Sequence, residues 1–253
     1  MNILRVENLT KKFEGLLALD NISFEVKENE IFSIIGPNGA GKTTIFNVIT
    51  GMLKQEQGEI YYNDKKITKL PSHIITRIGI ARTFQNIKLF SKMTVMENVL
   101  CAMYYKTTAN FLSIILNTSH YRREEKRTIK NGMKYLEFVG LGDEINTVSS
   151  GLAYGWQRRL EIARALATEP KVLLLDEPAA GLSEEERKDL IELIRKIRDN
   201  GITVILIEHD MKLVMNISDR IIVLDYGEKI AEGIPQQIQS NPDVIEAYLG
   251  KKN

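Results

Sequence analysis

Nine consecutive residues, Gly36-Pro37-Asn38-Gly39-Ala40-Gly41-Lys42-Thr43-Thr44, contain the spacing G-x-x-x-x-G-K-[ST] from Gly36 to Thr43. Glycines at those positions let the backbone wrap closely, so that successive N–H groups can point at phosphate oxygens. Lys42 adds a positive charge for the β- and γ-phosphates, and the Thr43 hydroxyl is suited to Mg²⁺. Further along, Lys171-Val172-Leu173-Leu174-Leu175-Asp176-Glu177 is an apolar run ending in two carboxylates. In phosphate-loop ATPases the first such carboxylate serves the Mg²⁺ shell, and the second is placed to act on water as a general base. Ile205-Leu206-Ile207-Glu208-His209 ends another apolar run in a polar pair. His209 is open to two readings there, a contact to the γ-phosphate or its water, and an ordinary capping or surface histidine. His73 and His120 take only the ordinary reading.

The elements that must hold these residues are legible from period. Ile31 to Ile35, Val172 to Leu175 and Thr203 to Ile207 are short, continuous apolar runs, the pattern of parallel strands buried on both faces. The loop at Gly36 thus follows a strand, and a helix from about Gly41 to Ile49 would aim its positive end at the bound anion. Ser183 and Glu186 have capping-box spacing, Leu190, Ile191, Ile194 and Ile197 recur at helical period, and Asn200-Gly201 stops that helix. Alternating strands and helices predict an α/β core. Residues 86–165 are different in period: helices are expected over Met96 to Tyr105, Arg122 to Gly140 and Tyr154 to Ala167, with little strand pattern. The expected organisation is a core of residues 1–85 and 166–253, with a helical subdomain of residues 86–165 inserted into it. Gln85 sits where the two patterns meet. Phe13, read as preceding the first strands, is either a π-face for a nucleotide base or a core aromatic, and the sequence alone favours the core.

Composition narrows the classes. Of 253 residues, 43% are hydrophobic and 26% charged, which is globular composition. The net charge of +1 supplies no field for nucleic acid or an anionic membrane, and the mixed run Tyr121 to Arg127 is expected to be a solvated helix face. The single cysteine, Cys101, excludes an internal disulfide framework and fits a reducing compartment. No run approaches the roughly 20 apolar residues of a membrane span, and charge interrupts the N-terminus too early for an export signal. Val172 to Leu175, Val204 to Ile207 and Phe111 to Leu116, the last broken by Ser113, are all far shorter than a span. The expectation is a soluble chain that meets a membrane through a partner.

Phosphate loop, Gln85, Asp176-Glu177 and His209 appear in the order of an ABC-type ATPase, and Leu152-Ala153-Tyr154-Gly155-Trp156-Gln157 occupies the place of that family's Leu-Ser-Gly-Gly-Gln signature. The chain resembles this superfamily over essentially its whole length. Its Leu-Ala-Tyr-Gly variant, followed by Gln157-Arg158-Arg159-Leu160-Glu161-Ile162-Ala163-Arg164, is similar to the LivG-type ATPases of branched-chain amino acid importers. Ala81 to Gln85, Leu89-Phe90, Met93 to Asn98, Pro178 to Leu182 and Glu246 to Gly250 share that resemblance.

The resemblance implies a P-loop NTPase (RecA-like) α/β core with the inserted helical subdomain and an N-terminal antiparallel β region. It implies ATP hydrolysis at a site shared by two ATPase subunits, in a homodimer or with a paralogous partner. In that scheme Phe13 stacks on adenine, and Gly36 to Thr44 hold the phosphates. Thr43, Gln85 and Asp176 serve Mg²⁺, Glu177 polarises water and His209 holds the γ-phosphate. Leu152 to Trp156 reach the nucleotide of the opposing subunit. The same resemblance implies integral membrane permeases as partners, an extracytoplasmic binding protein reached indirectly, no nucleic acid, and a position at the cytoplasmic face of the membrane. Relatives serving urea or lipopolysaccharide are the alternative substrates, and a soluble ABC ATPase acting on DNA or the ribosome is the alternative class. Ala153 stands where the family has serine, so no hydroxyl is available there. Trp156 replaces a usually polar residue, and Ser183 replaces a common aspartate.

Overall fold

The computed structural model describes residues 1–104 and 118–249. The apolar run Phe111 to Leu116, and Tyr105 at the end of the first expected subdomain helix, lie outside the described residues. The chain divides into two compact units, Met1–Gln85 with Lys171–Asn253, and Asn86–Pro170. The second boundary therefore falls after Pro170, not after residue 165. The expected cut would have severed the helix Tyr154–Leu166, whose C-cap Ala167 closes it with N–H bonds to Ala163 and Ala165.

In the first unit, β1 (Asn2–Phe13), β2 (Leu16–Lys27), β4 (Gln57–Tyr62) and β5 (Lys65–Lys66) form an antiparallel sheet in the order β2-β1-β4-β5. The second sheet has the order β10-β9-β3-β8-β7-β6, with β3 (Ile31–Ile35), β6 (Ile80–Arg82), β7 (Val172–Asp176), β8 (Thr203–Ile207), β9 (Arg220–Asp225) and β10 (Glu228–Gly233). Neighbours are parallel from β9 through β6, and only the edge strand β10 runs antiparallel. Every residue of β3, β7 and β8 is buried. That explains their largely apolar sequences, since each buried Leu, Ile or Val contributes about 1.5–3 kcal/mol. The buried Ser33 within β3 bonds to Ser218 Oγ at 2.6 Å.

Helices cover this sheet. They are α1 (Lys42–Ile49), α2 (Ser72–Arg77), a long helix Glu184–Asp199, and the shorter Met211–Ile217, Pro235–Gln239 and Pro242–Leu249. The helix Glu184–Asp199 has the capping box expected of Ser183 and Glu186, and it buries Leu190, Leu193, Ile194 and Ile197. Gly201 after it is left-handed at φ 83°. One core joins both sheets to α1, from Leu4 and Phe24 through Phe32, Ile45 and Phe46 to Leu174 and Ile205, with the Phe24 and Phe32 rings stacked at 5.5 Å.

The second unit is helical. It contains α3 (Val95–Met103), α4 (Ser119–Val139) and α5 (Tyr154–Leu166), with 3₁₀ turns at Gly142–Glu144 and Ser149–Gly151. Thr94 caps α3 in a full capping box with Glu97. Asn98, fully buried, accepts the Phe90 N–H at 2.9 Å and donates to the Phe90 and Thr94 carbonyls, which fixes the loop leading into α3. Among the described residues no helix is long and apolar enough to cross a membrane.

The turn from β3 into α1 depends on glycine. Gly41 is the N-cap of α1 with φ 100°, and a Cβ there would lie 2.7 Å from both the Ala18 carbonyl oxygen and Leu19 Cδ2. Gly41→Ala is expected to lower stability by more than the ~1–2 kcal/mol of a left-handed alanine, because β2 must also shift. Urea unfolding of the two proteins measures this. An unchanged midpoint would show that the turn accommodates the methyl group.

Candidate nucleotide site

Four chain segments leave the second sheet at neighbouring strand ends. β3 runs into Gly36 to Thr44, β7 into Asp176-Glu177, β8 into Glu208-His209, and β6 into Thr83 to Gln85. In open parallel sheets, ligands bind outside the carboxyl ends of the strands. Between β3 and α1 the loop is folded tightly: at Gly36, φ is 149° and a side chain would overlap the Leu224 carbonyl. Lys42 is buried, and its Nζ donates to the Gly36 and Pro37 carbonyls at 2.7 and 2.9 Å. Desolvation holds its pKa below the ordinary lysine value, partly offset by the negative charges of Glu177 and Asp176. Asn38, Gly39 and Thr43 are exposed, while Gly36 and Ala40 are buried beneath them and Pro37, Gly41 and Thr44 are half-buried.

The two carboxylates differ sharply. Asp176 is buried; its Oδ2 accepts from Arg82 Nη2 at 2.7 Å, and its Oδ1 is buried with no hydrogen-bond partner. Glu177 is held at φ 48°, a left-handed backbone that costs a non-glycine residue about 1–3 kcal/mol. Its N–H donates to the Ile207 carbonyl at 2.9 Å, which ties the end of β7 to the end of β8. Its Oε2 lies 2.8 Å from Gln85 Nε2 and 2.8 Å from His209 Nε2. Gln85, Glu177 and His209, far apart in sequence, therefore converge on one oxygen atom.

Phe13 corrects two expectations. It is the last residue of β1 and does not precede the strands, and it is 41% exposed, not core. The strand carries it past the edge of the core into a turn through Glu14 and Gly15, and Lys11 Nζ lies 5.1 Å from the ring centre.

The structure also brings in groups that sequence reasoning passed over. Arg82 lies three residues before Gln85 and pairs with Asp176. Glu208, next to His209, is a buried carboxylate that accepts the Ala179 N–H at 2.7 Å and the His209 N–H at 3.1 Å. Burial pushes its pKa up, opposed by the N–H bonds from Ala179, His209 and Asp210. A charged residue abutting an apolar strand was the available signal in both cases.

In the helical unit, Ala153 is the N-cap of α5 and offers no side-chain cap, so the helix start has no hydroxyl acceptor. Leu152 is buried, Ala153 and Tyr154 are exposed, and Gly155 is half-buried. The Tyr154 hydroxyl accepts from Arg158 Nη2 at 3.0 Å. Trp156 has a structural explanation. Its ring lies against Gly140, the left-handed glycine that ends α4, and beneath Arg159, whose Nη1 donates to the Val139 carbonyl at 3.0 Å.

A strand-borne phosphate loop, a carboxylate pair after β7 and a histidine after β8 are the parts of an ATP-binding cassette. Residues 19–180 match the family model described as ABC transporter, and residues 228–252 match one described as branched-chain amino acid ATP-binding cassette transporter. The chain belongs to the ABC transporter family, and it binds and hydrolyses ATP. It is 49% identical over 250 residues to the high-affinity branched-chain amino acid transport ATP-binding protein BraF of Pseudomonas aeruginosa, covering 98% of each chain. LivG of Escherichia coli K12, a protein of the same description, is also 49% identical, again covering 98% of each. A solved ATP-binding cassette of an ABC transporter in its ADP conformation is 36% identical with a TM-score of 0.86, covering 99% of this chain and all of that one.

The lowered pKa of Lys42 gives a signed pH dependence. If Lys42 serves the phosphates, a bound nucleotide should favour the ammonium and raise its pKa. Affinity is therefore fully present below the pKa of the free site and falls as pH rises through it, with proton uptake on binding. Calorimetric titration with ADP at alkaline pH, in buffers of different ionisation enthalpy, should show that uptake. Binding without proton uptake across the alkaline range would contradict the assignment of Lys42 to the phosphates.

Proposed function

We propose that this chain is the ATP-hydrolysing subunit of an importer for branched-chain amino acids. The observation that carries the reading is the 49% identity across 98% of the chain to two proteins of that transport class, supported by the matching C-terminal segment. Urea and lipopolysaccharide remain the competing substrates, since the transported molecule would be selected by other subunits. A DNA- or ribosome-acting role gains no support from the overall charge, which is +1.

The site supports a division of labour. The loop Gly36 to Thr44 would cradle the phosphates, with Lys42 turning from the Gly36 and Pro37 carbonyls toward them. Phe13, exposed at the end of β1, would stack on adenine. Among the described residues no cluster of three or more His, Cys, Asp or Glu side chains could hold a metal by itself. Mg²⁺ commonly takes one or two protein oxygens plus phosphate and water, and the unsatisfied Asp176 Oδ1 and the exposed Thr43 fit that donor set. Mg²⁺ would be held by Thr43, Gln85 and Asp176 and would neutralise phosphate charge. Glu177 would take a proton from water as the water oxygen bonds to the γ-phosphorus and the bond from that phosphorus to the β–γ bridging oxygen breaks. His209, now on Glu177 Oε2, would turn its Nε2 to the γ-phosphate. Leu152 to Trp156 of a second copy, or of a paralogous partner, would complete the site through backbone N–H groups at the start of α5. The pair would sit at the cytoplasmic face, bound to permeases that an extracytoplasmic binding protein supplies.

The test is leucine uptake in vesicles holding this chain, ATP, and the permease subunits and binding protein that co-purify with it. ATP-dependent leucine accumulation is expected. Glu177→Gln should abolish it and lower ATP turnover by roughly 10²-fold or more, with ATP binding retained. Urea uptake without leucine uptake would replace the substrate, and undiminished turnover in the variant would reject Glu177 as the base.

A further inference from the structure

The two oxygens of Asp176 have opposite surroundings. Oδ2 is paired with Arg82, both side chains being at most 5% exposed, while Oδ1 is enclosed without any hydrogen bond. Arg82 is itself gripped on several sides. Its Nη1 donates to Asn47 Oδ1 at 2.7 Å and reaches Thr50 Oγ1 at 3.4 Å, both on the helix that follows the phosphate loop or at its end. Its guanidinium lies 5.4 Å from the Phe46 ring centre and 5.2 Å from that of Phe84. One cation thus fastens the end of α1 to the end of β7, from the segment that leads to Gln85.

A buried carboxylate without a counter-charge is strongly unfavourable, and a planar guanidinium fork is suited to fixing its orientation. We propose that Arg82 is a positioning residue for the metal half of the site. It is the resident counter-cation of Asp176 and pins Oδ2, so that only Oδ1 is offered to the Mg²⁺ that arrives with ATP. This inference rests on the reading of Asp176 as an Mg²⁺ residue. It goes further in making the protein's own cation part of how that carboxylate is paired and aimed when no metal is bound.

The consequence is a trade between two cations. Without Arg82, Asp176 keeps only the Coulombic attraction of Lys42 besides Mg²⁺, so stability should lean more heavily on the metal. Thermal unfolding of the full chain with a non-hydrolysable ATP analogue, in chelator and in Mg²⁺, reads this directly. In Arg82→Gln the melting temperature in chelator should drop, and the Mg²⁺-dependent rise should exceed that of the parent. Adding Asp176→Asn to Arg82→Gln should restore melting in chelator and bring the Mg²⁺-dependent rise back to no more than that of the parent, because the buried Asp176 charge is gone while Thr43, Gln85 and the phosphates would still hold the metal. This double variant is informative even if Arg82→Gln alone does not fold. An equal loss with and without Mg²⁺, or no recovery in the double variant, would overturn the proposal and leave Arg82 as a simple fastener. A parent that Mg²⁺ fails to stabilise would instead overturn the assignment of Asp176, and this inference with it.

Discussion

The site depends on one constraint: β3, β8, β7 and β6 lie side by side and parallel, so their carboxyl ends share one edge of the sheet. Parallel register converts residues separated by more than a hundred positions into neighbours. Phe32 pairs with Ile205, and Leu174 with both Ile205 and Arg82, so the polar residues that follow these strands emerge together. The strands hold this register through complete burial, which is why no polar residue interrupts β7 or β8 before the edge is reached. The Glu177 N–H to the Ile207 carbonyl is the last rung of that ladder, and the left-handed backbone at Glu177 is where the chain turns off it.

At that edge, adjacent carboxylates are set apart by their partners. Asp176 faces inward to a buried guanidinium, that of Arg82. Glu177, also buried, faces an amide and an imidazole, Gln85 and His209, in place of a guanidinium. Backbone strain at Glu177 adds to this, since a residue held in a left-handed conformation presents its side chain in a direction that the strand alone would not allow. Glu208 steadies the arrangement from beneath by holding the Ala179 and His209 N–H groups.

Much of this was legible in the sequence, and the misses have physical causes. The runs Ile31 to Ile35 and Thr203 to Ile207 are strands with those bounds because burial on both faces demands continuous apolar residues. Ser183 and Glu186 announced their helix because capping is local chemistry. The convergence of Gln85 and His209 on a single Glu177 oxygen was invisible, since it is a property of strand order and not of any one segment. Arg82 was hidden for the same reason: its partners Asn47 and Asp176 are brought together by tertiary structure. Phe13 was assigned to the core because aromatic residues usually bury, yet it is the last residue of β1, where the strand has run beyond the core. Trp156 became intelligible only once Gly140 was seen beneath its ring.

The strand-end edge carries the groups proposed to bind phosphate and activate water, while Leu152 to Trp156 stand on a helix start in the other compact unit. The proposed account makes the working site the property of two chains. The most direct test is specific ATPase activity against protein concentration, with mass measured at each point. The account predicts turnover per chain that rises steeply as dimer forms and approaches zero where only monomer is present. Constant turnover per chain down to concentrations at which the protein is wholly monomeric would contradict it.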